Sequence, residues 1–318
     1  GIAAIIVTGK PADASARYML AIEADGGAKF DRVDAWAGEG NYAVADAIKA
    51  MRPEDDRYAT ITNGPAGEAG LKASGIAISD VKGYPNRFAG RGGLGTVLRD
   101  KKIKAIVCRY TGMKADSNNP ADLKRIRPYG QRINKEITDL DDSQNQMRKI
   151  GTANIVDVMD HFDLLPTHNF RYGSHPDTHK IDSKVWKEAF TQGVPDGCWL
   201  GCTMSCSHGV DKFPIQTGPY AGTCVLVDGP EYENAAGLGS NIGNFDAQKV
   251  LELNFYCDTY GIDTISVANC IAFAMECYEE GLIIKQYTGG LELNFGNGAA
   301  ALELLHQMAG GEGFGVIV

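Results

Sequence analysis

The chain has 318 residues, of which 44% are hydrophobic and 22% charged, and its formal net charge at pH 7 is −9. This composition is that of a globular protein with room for two domains or one large domain. The negative charge argues against a nucleic-acid or anionic-membrane partner. The sequence has no apolar stretch of about 18 residues, so it predicts no transmembrane helix.

The first part of the chain alternates predicted strands and helices. The predicted strands are IAAIIVTG and YMLAIEADGG, which end at glycines, then YATIT before the turn NGPAGEAG, and IKAIVCRYTG. A predicted helix, NYAVADAIKAMRP, is stopped by Pro53. The opening segment lacks a charged n-region, so we interpret it as a core strand and not as a signal peptide.

From Pro120 onward the apolar spacing is helical. The predicted helices are ADLKRIRPYGQRINKEITDL, TANIVDVMDHF, PEYENAAGLGSNIG, DAQKVLELNFYCDTYG, TISVANCIAFAMECYEEG and AAALELLHQMAGGEG. The last four each close with a glycine. The sequence therefore predicts an α+β fold, with a β-rich domain at 1–114 followed by a mainly helical domain at 115–318.

Three cysteines, Cys198, Cys202 and Cys206, follow one another with the spacing C-x3-C-x3-C. Thiolates at such spacing can bind one iron–sulfur cluster, whose fourth ligand must then come from elsewhere. Buried thiols on a helix are the alternative, but glycines and a proline interrupt this segment. Eight cysteines in so long a chain do not indicate a secreted disulfide scaffold, and together with the cluster motif they favour a reducing cytoplasm.

A glycine-rich loop, RFAGRGGLG at 87–95, precedes a predicted helix. Backbone N–H groups at such a loop can bind a phosphate, and Arg87 or Arg91 can add bidentate contacts. The loop matches neither the Walker motif nor the dinucleotide fingerprint. A purely structural turn explains it equally well.

The remaining candidates are acidic residues at helix ends. Glu233 lies in the first turn of a predicted helix, where a carboxylate suits the helix dipole, so capping is one explanation. The small residues that follow it would also allow a bulky ligand to approach. Near Asp258, Gly261 suits a left-handed helix end and Asp263 suits an N-cap. This structural explanation and a functional one both remain open.

Taken in order, these segments resemble the aldehyde ferredoxin oxidoreductase family of tungsten-pterin enzymes. The matching runs are GPAGE at 64–68, RFAGRGGLGTVL at 87–98, KAIV at 104–107, the cysteine loop, PEYENAAGLGSNIGN at 230–244, DTYGIDTISVANCIAFAMECYEEGL at 258–282 and GGEGFG near the end. They span nearly the whole chain and keep the family's order.

The resemblance implies a β-rich base domain beneath the cofactor and two mainly helical domains above it. The chain is similar to the later part of the base domain and most of the first helical domain. We therefore expect a fragment that lacks the family's N-terminal segment and last helical domain. The fourth cluster cysteine would then lie beyond Val318.

The resemblance also implies roles for individual residues. Cys198, Cys202 and Cys206 would bind a [4Fe–4S] cluster, although the first gap is one residue longer than the family's C-x2-C-x3-C. In the family, one loop contacts the pterin phosphates, and Mg²⁺ lies between those phosphates. The residues here that are similar to this loop are Arg87, Ala89, Gly90, Arg91 and Gly92. Asp258, Gly261 and Asp263 match a D-x-x-G-x-D motif whose carboxylates hold pterin amines, and Glu233 matches a glutamate near the metal.

The activity that the resemblance implies is oxidation of a small aldehyde to a carboxylic acid at a tungsten, or molybdenum, bis-pterin centre. Glu233 would activate water as a general base. Electrons would leave through the cluster to ferredoxin or an iron–sulfur partner subunit, and the family resemblance is compatible with a homo-oligomer. The alternatives are a tungsten-dependent aryl-CoA (benzoyl-CoA type) reductase subunit, a radical enzyme that uses S-adenosylmethionine, and a non-catalytic metal-binding protein.

Overall fold

The computed structural model of the chain describes residues 4–52, 57–80, 82–110, 120–141, 143–191, 197 and 202–318. The strands within these ranges are β1 (Tyr18–Ile22), β2 (Ala28–Arg32), β3 (Tyr58–Thr62), β4 (Ile76–Ile78), β5 (Arg87–Ala89), β6 (Ile103–Arg109), β7 (Gly209–Pro214) and β8 (Cys224–Asp228). The helices are α1 (Asn41–Met51), α2 (Pro65–Ala69), α3 (Leu94–Asp100), α4 (Leu123–Thr138), α5 (Gln146–Ile150), α6 (Ile155–His161), α7 (Ser183–Ala189), α8 (Tyr232–Gly237), α9 (Ala247–Tyr260), α10 (Thr264–Glu279) and α11 (Gly298–Gly310).

The first six strands form one mixed sheet in the order β2-β1-β6-β3-β4-β5. Only the β1–β6 pair is parallel among these strands, and the other neighbours are antiparallel. Alternate residues of β1 face opposite sides of the sheet. Met19 packs with Ile48 of α1 on one face, and Leu20 packs with Ile106 of β6 on the other. The sheet therefore has an apolar cluster on each side.

The second half of the chain is mainly helical and encloses the largest apolar cluster. Every residue of α9 from Val250 to Tyr260 is buried, so this helix forms the centre of that cluster. Helices α8, α10 and α11 pack around it, and the antiparallel hairpin β7–β8 lies beside it. Within the described residues no helix has the length and apolar character that crossing a membrane requires.

The α+β fold class predicted from the sequence is confirmed, because a mixed sheet is followed by a mainly helical half. The domain boundary near residue 114 stays a prediction. The predicted first strand is wrong for its described residues, since 4–8 have no regular structure. Ile5 and Val7 still pack against the sheet, so the apolar alternation there reflects side-chain packing without strand pairing.

Candidate functional site

A cavity of about 380 Å³ lies where the sheet-bearing half of the chain meets the helical half. Its walls come from β5 and the loop around it, the end of the cysteine loop, the β8–α8 connection and the α9–α10 connection. The lining residues are Asn86, Arg87, Phe88, Gly90, Cys206, Ser207, Asp228, Glu231, Asn234, Asp258, Ile262, Asp263 and Thr264.

The connection between α9 and α10 is fixed by helix capping. Helix α9 ends at Tyr260 because Gly261, at φ 74°, adopts the left-handed conformation that glycine tolerates best. The Asp263 carboxylate accepts hydrogen bonds from the backbone N–H groups of Ile265 (3.3 Å) and Ser266 (3.2 Å) at the start of α10. The capping explanation for Gly261 and Asp263 is therefore confirmed, and their roles toward a ligand stay predictions.

The same connection is hydrogen-bonded to the first half of the chain. The Gly75 N–H donates to the Gly261 carbonyl (2.9 Å), and the Asp263 N–H donates to the Ala73 carbonyl (2.9 Å). Gly75 in turn lies against the glycine-rich loop, since a Cβ added to it would lie 2.8 Å from the Gly90 Cα. The loop and the acidic motif therefore meet through backbone contacts.

The GPAGE segment, interpreted from the sequence as a structural turn, begins helix α2 and packs against the end of α9. A Cβ on Gly64 would lie 2.1 Å from the Tyr260 carbonyl oxygen, so only glycine fits there. The Asn41 amide donates to the Asp258 carbonyl (2.8 Å) and accepts from the Thr62 hydroxyl (2.9 Å). These contacts hold the C-terminus of α9 against the sheet domain.

An ion pair crosses the cavity between Arg87 and Asp228, at 2.5 Å, and each side chain is only 15% exposed. Burial raises the pKa of Asp228 to about 7 even though Arg87 acts to lower it. Burial also raises the pKa of Asp258, and the neighbouring Asp228 charge adds to the shift. The Asn254 amide donates to the Asp228 carbonyl (2.6 Å) and to the Asp258 carboxyl (3.4 Å). The Arg87 guanidinium therefore contacts one of two neighbouring buried carboxyl groups, and this pair of carboxyl groups can hold a proton near neutral pH.

The two glutamates of the PEYE segment occupy different environments. Glu231 lines the cavity, accepts a hydrogen bond from the Thr152 hydroxyl, and has a pKa raised by burial. Glu233 is exposed in the first turn of α8 and does not line the cavity. Residues two apart at a helix start face different directions. The spacing of Glu231 and Glu233 therefore indicated that only one of them could face a given site, and this was the signal available for Glu231.

Asn86 supplies a further polar group to the cavity. This side chain is only 5% exposed, and its Oδ1 accepts no hydrogen bond from any described residue. A buried acceptor of this kind normally has a partner. The Arg87 guanidinium as a donor, with the Asn86 oxygen and the Asp258 carboxyl as acceptors, forms a set of polar groups that fits a ligand carrying both anionic phosphate and ring N–H groups.

The structure brings together only part of the predicted site. The predicted residues that line the cavity are Arg87, Gly90, Cys206, Asp258 and Asp263, and those that do not are Ala89, Arg91, Gly92, Cys202, Glu233 and Gly261. Arg91 and Gly92 are exposed, beyond the edge of this cavity. The lining residues that sequence reasoning did not assign include Asn86, Asp228 and Glu231.

The cysteine loop is only partly described. Cys206 lines the cavity and Cys202 is half-buried, whereas Cys198 lies outside the described residues. No three His, Cys, Asp or Glu side chains within the described ranges are grouped so that they could hold a metal. Because one of the three proposed ligands is not among those residues, the cluster stays a prediction.

Two helices hold the described part of this loop at Thr203. The Arg148 guanidinium of α5 donates to the Thr203 carbonyl, and the Asn134 amide of α4 donates to the Thr203 hydroxyl at 2.9 Å. Inside the loop the Ser205 hydroxyl donates to the Cys202 carbonyl (2.9 Å). The segment between the second and third cysteines is therefore anchored to both α4 and α5.

Comparison with known proteins gives two family matches. The model described as aldehyde ferredoxin oxidoreductase, N-terminal domain, matches residues 1–110, and the one described as aldehyde ferredoxin oxidoreductase, domains 2 & 3, matches residues 129–318. Tungsten-containing aldehyde ferredoxin oxidoreductases from Pyrococcus horikoshii and Pyrococcus abyssi are 31% and 30% identical over 287 and 280 residues. Each alignment covers 86% of this chain and 43% of the relative, so the chain spans less than half of their length.

One further relative and one solved structure extend the comparison. The aliphatic sulfonate oxidoreductase, WOR-like subunit, of Pyrococcus furiosus is 28% identical over 235 residues, which is 72% of this chain and 35% of that protein. The solved active-site complex BamBC of benzoyl coenzyme A reductase aligns over 97% of this chain and 44% of its own, with a TM-score of 0.69 and 21% identity. At that identity the structural match establishes a shared fold.

Proposed function

Since this chain belongs to the aldehyde ferredoxin oxidoreductase family, we propose that it forms part of an enzyme that oxidises an aldehyde to a carboxylic acid. The family predicted from the sequence is thereby confirmed. Membership implies oxidoreductase chemistry and a tungsten-pterin cofactor. We further propose that the cofactor contains two pterins, with Mg²⁺ between their phosphates, and that its metal is tungsten and not molybdenum. The proposal also includes a small aldehyde as substrate and a reducing cytoplasm as the location.

The observation that carries the proposal is the cavity itself, because it joins four of the family-like segments: the glycine-rich loop, the cysteine loop, the segment 230–244 and the segment 258–282. Arg87 and the Gly90 backbone would hold phosphate, while Asp258 would accept hydrogen bonds from ring amines. The buried acceptor of Asn86 would take a further ring N–H. When bound, the cofactor supplies the two-electron redox chemistry of the reaction. The chain's own residues bind and orient it.

Proton transfer is assigned to the PEYE segment. In the proposal Glu233 takes a proton from the attacking water, because it matches the family's glutamate near the metal; Glu233 itself lies outside the cavity, between the lining residues Glu231 and Asn234. Glu231, whose pKa is raised by burial, would line the cavity beside the cofactor while it accepts a hydrogen bond from the Thr152 hydroxyl.

Matched variants of these glutamates test the assignment. Glu233→Gln should lower turnover by about 100-fold or more while tungsten, pterin and iron contents stay unchanged. Glu231→Gln keeps an acceptor for the Thr152 hydroxyl at the cavity and should retain most of the turnover. Normal turnover in Glu233→Gln would contradict its role as the base. A loss confined to Glu231→Gln would transfer that role to Glu231.

The electron route is proposed to run from the cavity through a [4Fe–4S] cluster bound by Cys198, Cys202 and Cys206, and on to ferredoxin or an iron–sulfur partner subunit. Elemental analysis of the full-length protein should give about four irons and one tungsten per chain. Cys206→Ser should lose iron, whereas the exposed Cys224 serves as a matched control whose serine variant keeps it. Zinc as the only metal would end the proposal and favour the non-catalytic alternative.

The substrate class needs its own assay. Aldehydes should be oxidised with a viologen dye as electron acceptor, and aromatic coenzyme A thioesters should not be reduced with a low-potential donor. The opposite result would support the aryl-CoA reductase alternative, whose fold this chain shares.

A further inference from the structure

We propose that helix α4 is a docking surface for a small acidic electron-transfer protein, which approaches the cysteine loop from this side. The inference rests on the proposed function in one respect, namely that electrons leave through the cysteine loop. Three independent properties of α4 carry it: its exposure, its charge and its contact with that loop.

The exposure of α4 is unusual for an amphipathic helix. The helix spans Leu123–Thr138 and contains no buried residue. Three of its large apolar side chains are at least half exposed, namely Ile126 (55%), Tyr129 (56%) and Ile133 (50%). A helix with an apolar stripe normally buries that stripe against the protein, and a contiguous exposed apolar strip commonly marks an interaction site.

The spacing of these side chains makes one face. Ile126, Tyr129, Ile133 and Ile137 follow at intervals of three or four residues, so they lie above one another along the helix. The helix does not need a partner to begin, because Asp122 caps it by accepting a hydrogen bond from the Arg125 N–H at 2.9 Å. The apolar strip is therefore presented on a formed helix.

The charge of α4 is opposite to that of the chain. The helix carries five basic residues and a single acidic one, Glu136, in a protein with a net charge of −9. Its basic residues are Lys124, Arg125, Arg127, Arg132 and Lys135. The last two form i,i+4 pairs with acidic neighbours, while the first three make no ion pair with any described residue. The N-terminal half of the helix therefore offers positive charge that no ion pair among the described residues compensates, beside the apolar strip.

The position of α4 connects it to the proposed electron exit. The hydrogen bond from the Asn134 amide to the Thr203 hydroxyl, at 2.9 Å, joins the helix to the segment between Cys202 and Cys206. A protein that docked on α4 would thus be held beside this loop. Transfer between proteins falls steeply with distance, so a docking surface is useful only where the donor lies close behind it.

These properties select the kind of partner. A basic helix with an apolar strip suits an acidic surface that has an apolar centre, as in helix-in-groove recognition. Opposite charges also accelerate encounter and orient the partner before contact. A second copy of this chain also carries a net negative charge, which the basic helix would attract. A contact between two copies is therefore the competing explanation to be tested.

The test reverses the charges of the three N-terminal basic residues of α4 together, as Lys124→Glu, Arg125→Glu and Arg127→Glu in the complete holoenzyme. The matched control makes the same change in charge at Lys10, Lys29 and Lys49, exposed lysines of the first half of the chain. The probe is a small acidic [4Fe–4S] ferredoxin, and its affinity is measured by surface plasmon resonance at low and high salt. The helix variant should bind it at least about tenfold more weakly at low salt than wild type or control, and the difference should shrink as salt rises.

Turnover measurements separate this proposal from the proposed function. With a viologen dye as acceptor, the helix variant should have the same kcat as wild type. With ferredoxin as acceptor, its KM for ferredoxin should rise. Equal ferredoxin affinity in helix variant and control would overturn the docking surface. Absence of dye-coupled turnover in the wild type would instead contradict the proposed activity, and the binding measurement would still decide the docking surface.

A second variant, Ile126→Ser with Ile133→Ser, tests the apolar strip without altering charge. It should weaken ferredoxin binding equally at low and high salt. Sedimentation of both variants distinguishes the competing occupant. If they break up a homo-oligomer while ferredoxin affinity stays unchanged, the face is a contact between copies and the docking proposal is wrong.

Discussion

Replacing Asp228 by Asn tests the electrostatics of the cavity most directly. Asp228 is the partner of Arg87 and the charge that adds to the raised pKa of Asp258. The Asn side chain has nearly the same shape and can still accept a hydrogen bond from Arg87, but it cannot ionise. The variant therefore removes one proton-binding group while leaving the packing of the cavity in place.

The magnitude follows from the pKa of Asp228, which burial raises from 3.8 to about 7. As pH rises through this interval, the unfolded chain has released the proton while the folded protein retains it, so stability falls with rising pH. Each pKa unit corresponds to about 1.4 kcal/mol, so ionising this carboxyl costs the folded state about 4 kcal/mol across the whole interval. About 2.5 kcal/mol of that loss falls between pH 5 and pH 8.

Denaturant unfolding at pH 5, 6, 7 and 8 measures the effect. We expect the stability of wild type relative to Asp228→Asn to decrease by about 2.5 kcal/mol from pH 5 to pH 8. Removing the Asp228 charge also lowers the pKa of Asp258, which flattens the variant's profile further. Asp211→Asn, an identical change at an exposed position of β7, should run parallel to wild type. Parallel profiles for Asp228→Asn and wild type would refute the reasoning.

Three further predictions concern stability and can be checked by denaturant unfolding. Gly64→Ala should lower the free energy of unfolding by about 1–3 kcal/mol, because the new Cβ would lie 2.1 Å from the Tyr260 carbonyl oxygen at the end of α9. Gly130→Ala, where a new Cβ would meet nothing within 4 Å, should be neutral or stabilising, and equal effects of the two variants would contradict the close-packing argument. Asp263→Ala removes the N-cap of α10 and should cost about 1 kcal/mol, with no loss at all indicating that the cap is dispensable. Glu68→Gln leaves the fully buried Lys104 without its charge partner and should lower the free energy of unfolding by about 3–5 kcal/mol. Adding Lys104→Met to this variant should recover stability, and a double variant no more stable than Glu68→Gln would contradict this pairing.

Much of the fold could be predicted from local sequence pattern. Helices α9, α10 and α11 carry helical apolar spacing with glycines at or just beyond their ends, so their type and approximate limits were predictable. Strands β2, β4, β5, β7 and β8 were missed. Strand β2, AKFDR, is a largely exposed edge strand with little apolar signal, and β7 deviates from regular pairing between Val210 and Phe213. In each case the pairing partner decides the structure, and a local pattern does not contain it.

The candidate site divides in the same way. Arg87, Asp258 and Asp263 lie in recognisable motifs, and all three line the cavity. Asp228 was not assigned because its partner Arg87 is 141 residues away, so no spacing rule connects them. For the PEYE segment the sequence predicted a helix start. Which glutamate lines the cavity, Glu231 and not Glu233, depends on the orientation of that helix start in the fold. Local motifs thus indicate the ligand chemistry, while long-range packing decides which neighbours complete the site.

The tether between the α9–α10 connection and Ala73–Gly75 has a consequence for insertions and deletions. Only three residues, 261–263, separate the two helices, and the backbone groups of Gly261 and Asp263 are both engaged with the other half of the chain. One added residue would break at least one of these hydrogen bonds or turn the start of α10 by about 100°. Asp263 would then face away from the cavity even though every side chain had been kept. At this point of the protein the length of the connection matters as much as the identity of its residues.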